Sequence, residues 1–162
     1  MNAQQLHDYI IKPALEYMGG NYNSKNARFL LLCTAAIESQ CGEYIKQING
    51  PALGIFQMEP ATHEDIWRNC DVIQSDFGEV ISALGVTRTK NDPDKDLIIS
   101  PVYACAMARL KYSMDSAPLP DHNDIKAVYA YYKRIYNTEF GASTYDKFIS
   151  ALNSNNINDV VL

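Results

Sequence analysis

The sequence predicts a mainly α fold organised as one domain over residues 1–162. Three observations lead there. Apolar residues recur at helical spacing in several segments, and one of these, residues 29–37, is apolar on nearly every face. The segments are separated by glycine, proline and asparagine clusters. The length suits one compact domain, which buries about two-thirds of its unfolded surface and needs neither disulfides nor metal to fold. With 47% hydrophobic and 20% charged residues, the balance is that of a globular chain rather than a disordered one. No repeat or linker divides it.

Each element follows from local pattern. Residues 2–18 carry Leu6, Tyr9, Ile10, Leu15 and Met18 at helical spacing, with a kink or break expected at Pro13. Gly19 and Gly20 end that segment, and Ser24 is placed to cap the next. A helix from about Lys25 to Gln40 should be central and buried. From Gly42 to Met58 periodicity is lost, so a loop or short irregular hairpin is expected. Pro60 fits the first turn of a helix reaching Asn69, and a short helix covers about Ser75 to Leu84. Thr87 to Asp96 is polar and reads as an exposed loop. Residues 97–115 form an apolar helix. Asp121 or Asn123 is the candidate cap of a helix reaching Tyr136, and a last helix covers about Thr144 to Leu152.

The net charge of -5 argues against a nucleic-acid partner, which calls for a basic face, and against a cationic membrane-disrupting helix. Sugar recognition, which runs on hydrogen bonds and stacking, is compatible with it. Cys33, Cys41, Cys70 and Cys105 show no zinc spacing and read as reduced, buried, hydrophobe-like residues. Cys41 lacks the positioned base that a nucleophilic thiol needs. His7, His63 and His122 are scattered. The start of the chain has neither a basic nor an apolar signal region, and no apolar run approaches membrane-spanning length. The expectation is a protein made in the cytoplasm without a signal peptide and without stable membrane insertion.

Three features could carry chemistry. Glu38 ends the apolar helix, and its helical neighbours Thr34, Ala35, Cys41 and Gly42 offer no cation. Burial and the negative end of the helix dipole both disfavour its charged form, which suits a general acid near neutral pH. The plain alternative is a glutamate turned into solvent. The second feature is Gly54-Ile55-Phe56-Gln57-Met58-Glu59-Pro60-Ala61-Thr62, where Gln57 could present its amide to a cleft. Its alternative is a buried turn in which Gln57 satisfies backbone. The third is the tyrosine-rich run from Ala127 to Thr138, which offers flat faces and hydroxyls to a sugar. At least two of its tyrosines must be core, because they cover more than one helix face.

Three elements occur in a telling order. Ala36-Ile37-Glu38-Ser39 ends the buried helix, Gly54-Ile55-Phe56-Gln57 leads into Pro60-Ala61-Thr62, and Tyr136-Asn137-Thr138 with Gly141 stands late in the chain. Together they resemble the soluble lytic transglycosylase domain, a relative of goose-type lysozyme, and most of all its small phage-encoded versions. The resemblance covers roughly residues 25 to 140. It implies a single-domain lysozyme-like fold, with the central buried helix and a loop or small hairpin lining the cleft. It implies that Glu38 is the general acid and then the general base, and that Ser39 bonds near the glutamate or the substrate. Gln57 would contact substrate, with Gly54, Ile55 and Phe56 shaping that wall. A late tyrosine, Tyr136 beside Asn137 or Tyr132 one turn earlier, would bond Glu38 and orient it. Thr138 and Glu139 stand where the family has alanine and glycine, and Glu59 where an apolar residue is common.

The implied activity is cleavage of the β-1,4 bond between N-acetylmuramic acid and N-acetylglucosamine in peptidoglycan strands. The implied products carry 1,6-anhydromuramic ends, and no cofactor or metal takes part. One rival is a goose-type hydrolase, with Glu59, Glu43 or Asp65 directing water. Another is a non-catalytic virion component that kept the fold. The expected place of action is the periplasm or cell wall. The chain would act there as a phage virion component, with other virion proteins as partners, or as a phage lysis enzyme.

Overall fold

The computed structural model describes residues 1–75, 77–86, 92, 94–137 and 141–162. It is mainly helical, as expected, and no strand forms among the described residues. Among the described residues no helix is long and apolar enough to cross a membrane.

The chain opens with α1 (Ala3–Leu6), capped by the Asn2 side chain, which accepts from the Gln4 and Gln5 N–H groups. A π-helical stretch, His7–Ile11, leads directly into α2 (Lys12–Met18). The break expected at Pro13 does not occur. The Lys12 N–H bonds the His7 carbonyl, five residues back, so the turn before the proline is widened and the helix carries on.

The central helix is α3 (Lys25–Ser39). Ser24 caps it by accepting from the Ala27 N–H. Leu30, Leu31, Leu32, Cys33, Ala35 and Ala36 are all buried, so the helix is enclosed on every side. Each leucine there stabilises the fold by about 1.5–3 kcal/mol relative to exposure. Gln40, at φ 51°, stops the helix in a left-handed conformation.

Residues 42–58 form an irregular loop with two isolated antiparallel bridges, Lys46 to Leu53 and Leu53 to Met58. Gly54 is required here. Its φ is +74°, and a Cβ would collide with the Leu97 carbonyl. Pro60 then starts α4 (Pro60–Asn69). A 3-10 turn, Asp71–Gln74, precedes α5 (Phe77–Leu84).

Much of the loop expected over Thr87 to Asp96 lies outside the described residues. Asp96 is an exception to that expectation: it is buried in α6 (Lys95–Ile99) and accepts from the Val86 N–H. The apolar helix expected over 97–115 is two helices, α6 and α7 (Pro101–Ser113), divided at Ser100. Ser100 caps α7, and Pro101 occupies its first turn. The cap of α8 (Ile125–Tyr132) is Asp124, neither Asp121 nor Asn123; Asp121 closes the preceding turn by accepting from the Asn123 N–H. A second π-helical stretch, Lys133–Asn137, extends α8. Thr144 caps α9 (Tyr145–Ser154).

All four cysteines are free and buried. Burial pushes the Cys41 thiol up to about 11, which suits the inert reading. His63 is buried between Asp94 (Nδ1 to Oδ1, 2.7 Å) and the Tyr103 hydroxyl (2.6 Å), joining α4 to the segment before α6 and to α7.

Candidate active site

The C-terminal turn of α3 puts Glu38 at the wall of a cleft of about 450 Å³. Its other walls come from the 42–58 loop (Gln47, Gln57, Met58), the start of α4 (Glu59, Thr62), the end of α7 (Lys111) and the π-helical stretch (Tyr136, Asn137). Acids, amides and one lysine therefore converge on one concave surface.

Glu38 is half-buried. The Tyr132 hydroxyl donates to its Oε1 at 2.6 Å, and the Asn137 side chain, which lines the same cleft, favours its charged form. Among the described residues no basic side chain forms an ion pair with it. Burial raises its pKa above the ordinary carboxyl value, while the donors Tyr132 and Asn137 pull the other way. A carboxylic acid held by neutral donors can give up a proton and still be steadied as the carboxylate.

The π-helical stretch explains how Tyr132 and Asn137 come to the same side, beside Glu38. In a regular α-helix a residue five positions on is rotated by about 140°. The wider i to i+5 turn brings Asn137 back towards the face that presents Tyr132. Tyr132 is fully buried, stacked between Phe148 (5.7 Å) and Tyr136 (6.4 Å). Of the two tyrosines weighed from sequence, Tyr132 holds Glu38. Tyr136 donates instead to the Phe56 carbonyl at 2.8 Å, fastening the loop to the late helix.

Several residues expected to meet substrate have other work. Ser39 is fully buried; its hydroxyl donates to the Ile55 carbonyl at 2.5 Å and accepts from the Gly42 N–H at 2.9 Å. It ties the helix end to the loop. Gly54, Ile55 and Phe56 are buried and do not line the cleft; Gly54 packs against the Leu97 carbonyl, and Ile55 and Phe56 join the core. Gln57 does line it, while donating to the Gly54 carbonyl at 2.8 Å. Glu59 lies exposed in the same cleft; Glu43 and Asp65 do not line it.

No family model, curated protein or solved structure matches the chain.

Sequence reasoning passes over Gln47 and Lys111. Gln47 sits in a stretch without periodicity, which gives it no signal. Lys111 has one: with Arg109 it is one of two basic residues near the end of a mostly apolar helix. Among the described residues, no group of three or more His, Cys, Asp and Glu side chains is arranged to hold a metal ion.

Proposed function

We propose that the chain has a lysozyme-like fold and cleaves the β-1,4 bond between N-acetylmuramic acid and N-acetylglucosamine in peptidoglycan, as a lytic transglycosylase. The observation that carries this reading is Glu38 itself: a half-buried carboxyl at a cleft wall, bonded by Tyr132 at 2.6 Å and without a basic partner among the described residues.

The chemistry balances without a cofactor. Protonated Glu38 gives its proton to the glycosidic oxygen as the C1–O bond breaks. The Tyr132 hydroxyl and the Asn137 amide then steady the carboxylate. The substrate's acetamido group stabilises the cationic carbon. Glu38 takes the proton of the C6 hydroxyl as its oxygen bonds C1, which closes the 1,6-anhydro ring and regenerates the acid.

A second reading is supported by Glu59, which lines the same cleft. There it would direct water, and the enzyme would be a hydrolase. Mass spectrometry of fragments released from purified peptidoglycan separates the two. Transglycosylase products are one water lighter than hydrolytic ones. Reducing ends alone would overturn the transglycosylase reading. A phage setting is part of the proposal, and detection of the chain in purified particles would support the virion role over the lysis role.

A further inference from the structure

Asn137 is held more firmly than its place in the cleft requires. Its Oδ1 accepts from the Lys133 ammonium at 2.8 Å and from the Ser143 hydroxyl at 2.7 Å. Lys133 also donates to the Gly141 carbonyl at 2.6 Å. Gly141 packs so close that a Cβ there would collide with the Asn137 amide. Lys133 forms no ion pair among the described residues.

We propose that Lys133 is a positioning residue for Glu38, acting through Asn137. An asparagine side chain can turn either its oxygen or its NH2 group towards a neighbour. With the oxygen committed to an ammonium and a hydroxyl, the NH2 group is the end left for Glu38. Reversal would break both bonds and set an oxygen against the carboxyl. The ammonium also polarises the amide, making its N–H a better donor. The inference rests on Glu38 being the working acid, as proposed above, but the contact network can be tested without any cleavage.

Other groups also face Glu38. These are the Tyr132 hydroxyl, the Tyr136 and Tyr112 rings, and, across the cleft, Lys111 and Glu59. Changing Lys133 leaves all of them in place, so its effect can be read separately.

The experiment is an NMR titration of the Glu38 carboxyl in carbon-labelled protein, for the wild type, Lys133→Met and Lys133→Arg, with thermal melts of each. Lys133→Met should raise the Glu38 pKa by about half a unit to one unit, because Asn137, freed to turn, no longer holds its NH2 group towards the carboxylate. Lys133→Arg should restore most of the wild-type value. Ser143→Ala, which removes the second donor to Asn137, should move the pKa in the same direction and serves if Lys133→Met does not fold. An unchanged Glu38 titration in folded Lys133→Met, or in Ser143→Ala if that is the variant available, would overturn the inference. If the pKa moves but the wild type releases no wall fragments, the positioning role stands and the proposed function fails. If the wild type cleaves and the variants titrate and cleave normally, the function stands and the positioning role fails.

Discussion

Tyr132→Phe removes one oxygen atom and leaves the ring, with its stacking on Phe148 and Tyr136, intact. What disappears is a 2.6 Å hydrogen bond to Glu38. A hydrogen bond to a charged group contributes about 1.5–3 kcal/mol, and each step of about 1.36 kcal/mol is tenfold in rate. The bond is strongest once Glu38 has become a carboxylate, so its loss falls on the chemical step. The variant should lose about ten- to a hundredfold in kcat. KM should change little, because Tyr132 is buried behind the carboxyl and does not line the cleft. The hydroxyl lowers the Glu38 pKa, so removing it moves the alkaline limb of the pH profile upward. The assay is release of soluble fragments from purified peptidoglycan across a pH series. A variant with wild-type kcat and an unmoved alkaline limb would refute this account of Tyr132.

Glu38→Gln should abolish turnover yet melt at or above the wild-type temperature at neutral pH. Burial raises the folded pKa of Glu38, so the unfolded chain ionises first as pH rises. The wild type therefore loses stability between the ordinary carboxyl pKa and the raised one, and the advantage of the glutamine variant should grow across that window. Ser39→Ala leaves the Ile55 carbonyl without its partner, while the Gly42 N–H keeps its bond to the Ser39 carbonyl, at a cost of about 1–3 kcal/mol in urea unfolding. Lys111→Met should raise KM about fivefold for strands carrying anionic peptide stems and much less for strands stripped of peptide, since an ion pair of this exposure is worth about 1 kcal/mol.

The helices that position the site are legible where local chemistry fixes them. Ser24 before the apolar run marks the start of α3, and Pro60 marks the start of α4. Elsewhere tertiary context decides. The widened turns at His7–Ile11 and Lys133–Asn137 depend on what packs against them, and no residue type announces an i to i+5 bond. Glu38 stands out because an acid ending an apolar helix has no local partner. The choice between Tyr132 and Tyr136 cannot be read, since residues four apart share a helix face and only the packing of α8 against α3 separates their tasks. The role of Ser39 is hidden for a similar reason: a serine beside a glutamate gives no sign that its hydroxyl is consumed by the Ile55 carbonyl.

The most direct test of the central claim is digestion of purified peptidoglycan by the wild type and by Glu38→Gln side by side, with both shown to be folded by thermal melting. The account predicts fragments with anhydromuramic ends from the wild type and none from the variant. Equal fragment release by a folded Glu38→Gln protein would contradict it.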